Sequence, residues 1–219
     1  MLITEPYSVQ AQIWPTQGRH ILAQYDDPTI IVYQAYNPAI GHYATAQQQL
    51  GGEFDYGRMS WIKTNFLWMM HRSGWGTKDN QQVILALRLR REFFEILLAQ
   101  AVSTMWERER FATQEAWANA ASRSPVRVQW DPDYDPWGHR LQRRAIQIGL
   151  KGAALEAFGQ CELLEVIDIS AFVAEQRVHL TAADGAALLT PRERVYYPAY
   201  TAIAAWLGLD KNKCESGKS

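Results

Sequence analysis

Two β-rich runs, Val126 to Trp130 in "SPVRVQW" and Arg144 to Leu150 in "RAIQIGL", are joined by a turn region built on two Asp-Pro pairs rather than by a helix. Parallel neighbours need a long crossover, usually helical, whereas antiparallel neighbours close through a turn. This junction therefore predicts an antiparallel pair and argues against a doubly wound parallel sheet.

Elsewhere α and β signals interleave irregularly. Thr29 to Tyr36 is a β-rich run between an Asp-Asp-Pro turn and Asn37-Pro38. "AIGHYATAQQQLGG" suits a short helix with the pair Gly51-Gly52 as its C-cap. In "QQVILALRLRREFF", Val83, Leu85, Leu87 and Leu89 alternate with Ile84, Ala86, Arg88 and Arg90, the period of a strand whose second face turns polar toward its end. A helix from about Arg91 to Arg110 follows, with Phe94, Leu97, Leu98, Ala101 and Met105 as its apolar stripe. "KGAALEAFG" reads as a short helix and "CELLEVIDIS" as a strand. Thr190-Pro191-Arg192-Glu193 has the form of a helix start, with Thr at the N-cap, Pro in the first turn and Glu three residues on. The expected architecture is an extended lead-in over 1–18, a single α+β domain over 19–209 with a mostly antiparallel mixed sheet flanked by helices, and a disordered polar tail over 210–219.

Composition narrows the partners. Lys+Arg 22 against Asp+Glu 23 gives a formal net charge of -1, so attraction for a polyanion has to be local. Cys161 and Cys214 show neither ligand nor redox spacing, which points to a reducing cytoplasm. No run has the form of a signal peptide or reaches the roughly 20 apolar residues of a membrane helix, so no membrane partner is expected.

The local charge lies in "RMSWIKTNFLWMMHRSGWGTK", Arg58 to Lys78. Trp61, Trp68 and Trp75 recur there at spacings of seven, and no acid occurs from Tyr56 to Lys78. That spacing places the three indoles on nearly one helical face, but Gly74 and Gly76 stop a helix near Ser73 and leave Trp75 in a loop, free to touch a ligand. Arg58, Lys63, Arg72 and Lys78, with Arg88, Arg90, Arg127, Arg143 and Arg144 from later segments, either pair with distant carboxylates or face an anion. Guanidinium forks bind phosphate and indoles stack on bases, so the set fits a nucleotide or a nucleic-acid end. The alternative is a core of Trp and Met beneath solubilising surface Arg. Dinucleotide, P-loop, His-Glu-x-x-His and Gly-x-Ser-x-Gly signatures do not occur. Asp131, Asp133 and Asp135 alternate as in a calcium loop, but Pro136 and Gln142 occupy the positions that need Gly and Glu, so no metal is predicted. For proton transfer, His71 stands beside Arg72, His20 and His42 are isolated, and His139 falls in the Asp-Pro turn. Asp131, beside Trp130 and the amide of Gln129, is the carboxylate best placed to enter a cationic site. Tyr33, Gln34 and Tyr36 end the first strand, and alternation turns Gln34 and Tyr36 to one face.

Together, "VYQAYNPAI", the Arg58–Lys78 stretch, "SPVRVQWDPDYD" and "RAIQIGL" resemble a family of bacterial and fungal proteins known as domain of unknown function 4291, over roughly His20 to Ile169. The chain departs from that pattern at Thr64, where proline is expected, and at His71, where tyrosine is expected. By analogy, the order of parts is also similar to the ADP-ribosyltransferase fold, in which a first-strand polar residue, a second-motif aromatic or hydroxyl group and a late-strand acid hold NAD. Here the late strand offers Gln147 in place of the acid.

These readings give a nucleotide-handling enzyme as the first expectation, with NAD or another nucleotide as cofactor and a nucleotide or nucleic acid as partner. Tyr36, His71, Asp131 and Gln147 are the catalytic candidates. Gln34, Arg58, Trp61, Lys63, Arg72, Trp75, Lys78, Arg127, Gln129 and Arg144 are the binding candidates. The alternatives are a non-catalytic nucleotide- or nucleic-acid-binding module and a structural, partner-binding domain.

Overall fold

The computed structural model describes residues 2–181 and 186–210. The chain opens with β1 (Thr4–Pro6), α1 (Tyr7–Ile13), β2 (Gln17–Arg19), β3 (Ile21–Ala23), β4 (Thr29–Tyr36) and α2 (Pro38–Gln47). Then come β5 (Ser60–Lys63), α3 (Phe66–Ser73), β6 (Val83–Arg90), α4 (Arg91–Gln100), β7 (Val102–Ser103) and α5 (Gln114–Arg123). The second half holds β8 (Val126–Tyr134), β9 (Arg140–Leu150), α6 (Ala153–Gln160), β10 (Leu163–Asp168) and α7 (Ser170–Val178). After a 3-10 turn, His179–Thr181, the described chain ends with β11 (Leu189–Pro191), β12 (Arg194–Tyr196) and α8 (Thr201–Leu207).

One mixed sheet runs in the order β10-β6-β4-β5-β9-β8-β7, with β2 added against β9. Its pairings are antiparallel except β7 with β8 and β2 with β9. The β8–β9 pair is the one that the Asp-Pro junction predicts, and the class is α+β in a single domain. Both faces of the sheet are covered. Val32, Leu85, Leu87, Ile62 and Ile148 pack with Phe94, Leu98 and Phe158 on one side. Ile31, Tyr33, Ile84 and Ala86 pack with Phe66, Met69, Met70 and Trp75 on the other. Double cover explains why Val83 to Leu87 is an unbroken apolar run: either parity of the strand meets a core.

Where tertiary pairing competes with local signals, it wins. The lead-in is not extended throughout. It forms α1, and the buried amide of Gln10 donates to Thr190 Oγ1 at 2.8 Å while accepting from Glu193 N at 2.7 Å. α2 ends at Gln48, itself left-handed at φ 57°, and not at the glycine pair; Gly51 and Gly52 instead lie under the Tyr43 ring, where an added Cβ would collide. α4 stops at Gln100, because Val102 and Ser103 join β8 as β7, and Met105 is left exposed. The Thr190–Glu193 helix start does not form. Thr190 and Pro191 lie in β11, paired with β1, and Arg194 begins β12, paired with β3. At the C-terminal end α8 packs into the core through Ile203 and Leu207, and the tail expected over 210–219 falls, past Asp210, outside the described residues. Among the described residues no helix is long and apolar enough to cross a membrane.

Candidate functional site

β4 and β5 meet at a single point, Tyr33 opposite Lys63, while β5 pairs with β9 along its whole length. Beyond that point the two strands separate. The Gln34 side chain spans the gap, its Nε2 donating to Ser60 Oγ at 2.7 Å and to the Trp61 carbonyl at 3.3 Å. The split opens a cavity of about 350 Å³ lined by Gln34, Ala35, Tyr36, Met59, Ser60, Trp61, Lys63, Met69, Arg72, Asn80, Gln81 and Gln147. Two cations line it and no carboxylate does.

Lys63 is 5 % exposed. No carboxylate stands within ion-pair distance of its ammonium among the described residues; its aromatic neighbour is Trp68, whose ring centre is 6.0 Å from Nζ. Burial, with the Arg72 guanidinium as second cause and the Asp131 carboxylate opposing them, pushes the amine down to about 8. A buried ammonium with no carboxylate in contact is costly, so an anion entering this cavity would gain an attraction that Asp131 supplies only in part. Arg72 is exposed at the rim, where Gln81, in the amide orientation that satisfies both groups, accepts from its guanidinium at 3.1 Å. Gln34 is 3 % exposed, and its buried Oε1 has no protein partner.

On the β9 wall, Gln147 sits opposite Lys63 on one side and Gln129 on the other, so the three side chains share a row on one sheet face. Asp131 closes that row from behind. Its carboxylate accepts from Gln147 Nε2 at 2.6 Å and from Gln129 Nε2 at 2.8 Å. Gln129 and Asp131 therefore orient Gln147 and do not line the cavity themselves. Tyr36 shares a 3.2 Å hydrogen bond with Ser60, and burial raises its phenol above the ordinary tyrosine value, which makes it a hydrogen-bonding group and not a proton donor near neutral pH.

α3 sets the remaining wall. Asn65 caps it by accepting from Trp68 N at 2.6 Å, and Gly74 ends it in the left-handed region at φ 59°. Because the N-terminus is buried, a second acceptor is needed for its free N–H groups. Glu193, 1 % exposed, supplies it by accepting from Phe66 N at 2.6 Å, and burial holds that carboxyl well above the usual range. Met69 and Arg72, three residues apart, then lie on the helix side that faces the cavity.

Of the fourteen candidates the sequence put forward, Gln34, Tyr36, Trp61, Lys63, Arg72 and Gln147 line the cavity. The others are placed elsewhere. Arg58 is exposed in the loop before β5. Trp75 is not a free loop residue: at φ 56° it turns inward, is 8 % exposed, and donates from Nε1 to the Pro136 carbonyl at 3.3 Å. His71 points away from the cavity, its ring stacked on Tyr134 at 3.4 Å, and burial lowers its imidazole. Lys78 caps the other end of α3, donating to the Arg72 carbonyl at 2.9 Å. Arg127 shares the sheet face but turns its guanidinium to the Ser124 carbonyl at 3.1 Å, and Arg144 is exposed. Arg88 and Arg90 pair with Glu165 and Glu162. Asp133 is buried against Arg143, with Nη2 to Oδ2 at 2.6 Å, while Asp135 holds His139 at 2.8 Å, so the alternating aspartates are dispersed among protein partners. Sequence reasoning missed Ser60, Asn80 and Gln81, which carry no charge to single them out.

Gly149 lies beneath Trp61, where an added Cβ would stand 2.7 Å from Met59 Sδ and 2.9 Å from the indole. Both are movable side-chain ends. Gly149→Ala is therefore expected to fold and to displace Trp61 and Met59, seen as a changed tryptophan emission spectrum with an unchanged circular-dichroism spectrum. An unchanged emission spectrum would mean that Trp61 does not move.

A family model described as Domain of unknown function (DUF4291) matches residues 20–196. No curated protein is significantly similar to the chain.

Proposed function

The chain belongs to the DUF4291 family, and we propose that it is a cytoplasmic nucleotide-handling enzyme whose substrate phosphates enter the cleft between β4 and β5. The observation that carries this reading is the buried, unpaired Lys63 in a cavity lined by a second cation and no acid. Lys63 and Arg72 grip the phosphates, Trp61 offers a ring face to the base or ribose, and the amide of Gln147 takes up a hydroxyl group. An ADP-ribosyltransferase-like use of NAD is supported by the order of parts: β4, β5 and β9 are adjacent and deliver Gln34, Ser60 with Trp61, and Gln147 to one cavity. The nearest carboxylate to Gln147 is Asp131, bound behind it. A second reading, binding of a nucleotide or nucleic-acid end without turnover, is favoured by that same amide where a transferase would place an acid.

A thermal-shift series with NAD, ADP, GDP and a short RNA tests the proposal. A nucleotide at a hundredfold above its Kd adds about 2.7 kcal/mol, or roughly 5–10 °C for a chain of this size. Arg72→Ala, at an exposed position, is expected to keep the unliganded midpoint and lose most of that shift. No shift with any of these compounds overturns the proposal. Release of nicotinamide from NAD supports turnover, whereas a shift with RNA alone and a steep salt dependence supports the binding module.

A further inference from the structure

We propose that the protein has a second anion site, built for a phosphate, between Arg88, Arg192 and Arg194. A separate cavity of about 300 Å³ is lined there by Ile3, Gln24, Tyr25, Asp26, Thr29 and the three arginines. It lies at the Thr29 end of β4, while the nucleotide cleft lies at the Tyr36 end, about 23 Å along the strand. The proposal does not depend on what the first cleft binds.

The arginines are far apart in sequence and are brought together by the fold. Arg88 comes from the end of β6, Arg194 from β12 where it pairs with β3, and Arg192 from the connection between β11 and β12. Their guanidinium groups are held by contacts both within the lining and outside it. Arg88 gives Nε to Glu165 at 2.9 Å and Nη1 to Thr29 Oγ1 at 3.2 Å. Arg194 lies over the Tyr25 ring at 4.4 Å and gives Nη2 to the Tyr25 carbonyl at 2.8 Å. Arg192 leans toward Glu5 at 3.7 Å. Each fork has five N–H donors, so these contacts leave donors on all three unused.

Asp26 is the acid in the lining, and its Oδ1 accepts from Thr29 N at 2.8 Å and Thr29 Oγ1 at 2.7 Å. Three guanidinium groups line the hollow against one carboxylate, Asp26, while Glu165 and Glu5 outside the lining pair with Arg88 and Arg192; the charges balance, and what the hollow offers is unused N–H donors. A phosphate, with several acceptor oxygens, engages those donors better than a monovalent halide. The Tyr25 ring is covered by Arg194, which leaves no free aromatic face for a base. The site thus fits a phosphate head, free or as a small monoester, and not a nucleoside.

Inorganic phosphate titrated against Arg72→Ala, in which the first cleft is weakened, tests this by thermal shift at constant ionic strength, each variant read against its own phosphate-free midpoint. Adding Arg192→Ala, at a half-exposed position, is expected to weaken the phosphate response about tenfold. Asp26→Asn keeps the acceptor for Thr29 and removes the opposing charge, so it is expected to tighten binding roughly threefold. Glycerol 3-phosphate distinguishes the sources: tighter binding than inorganic phosphate identifies a monoester, weaker binding a free anion. No phosphate response in Arg72→Ala, or responses unchanged by both Arg192→Ala and Asp26→Asn, overturns the proposal.

Discussion

Lys63→Met is expected to make the unliganded protein more stable and its nucleotide response much weaker. Among the described residues no carboxylate touches the ammonium, and its displacement from 10.5 to about 8, the net of burial and the Arg72 charge against a partial offset from Asp131, corresponds to about 3 kcal/mol of cost in the charged form. Methionine has a similar length and no charge, so the substitution should recover about 2–3 kcal/mol, a rise of roughly 5–10 °C in the thermal midpoint. The sign with pH follows. Between about 8 and 10.5 the unfolded chain holds the Lys63 proton and the folded chain does not, so stability from this group rises with pH across that window. Below about 8 both states are protonated and the full penalty remains. The difference in stability between Lys63→Met and the parent, followed by denaturant melts from pH 7 to 10.5, should therefore shrink as pH rises. A variant less stable than the parent at pH 7 would mean that Lys63 is compensated in the unliganded fold.

Arg143→Met is expected to act in the opposite direction, lowering stability by about 3–5 kcal/mol. Asp133 is 1 % exposed and Arg143 5 %. The guanidinium makes two contacts to Asp133 Oδ2, at 2.7 Å from Nε and 2.6 Å from Nη2, and a third to the Pro15 carbonyl at 2.6 Å. It also lies over the Trp14 ring at 5.3 Å, joining the N-terminal segment to β9. Burial raises the Asp133 carboxyl even with its partner present, so removing that partner leaves a desolvated acid that protonates or draws in water. The loss should be measurable as a drop of roughly 10 °C in the melting midpoint. The double substitution Asp133→Leu with Arg143→Met removes both charges and is expected to restore most of it. A double variant as unstable as the single one would place the contribution of Arg143 in its contacts to Trp14 and Pro15 and not in the ion pair.

Some of this was legible in the residues themselves. Thr29 to Tyr36 and Val83 to Arg90 form strands at the bounds that β-rich runs and flanking turn signals imply, because both are central strands where local preference and burial agree. The tryptophan spacing in the Arg58–Lys78 stretch misleads, since Trp61 lies on a strand, Trp68 on a helix and Trp75 in an inward turn. The absence of acids there is the better guide: Lys63 and Arg72 reach one cavity, and the neutral residues Gln34 and Gln147 join them because β4, β5 and β9 are neighbours. Pairings between distant segments were not legible. Arg88 and Arg90 look available in sequence but meet Glu165 and Glu162 across β10. Glu193 has the spacing of a local capping box, yet it caps α3 from 127 positions away. A cap read from sequence assumes that its helix follows, and here sheet pairing of β11 and β12 claims those residues first.

The central claim is that nucleotide phosphate completes the charge of Lys63. Calorimetric titration of NAD at pH 8, in two buffers of different ionisation enthalpy, tests it most directly. With its amine at about 8, Lys63 is about half charged under those conditions, while the pyrophosphate is fully ionised. Binding should therefore draw in about half a proton per nucleotide in the parent protein and none in the residual binding of Lys63→Met. Binding without proton uptake, or uptake that persists in Lys63→Met, would contradict the account.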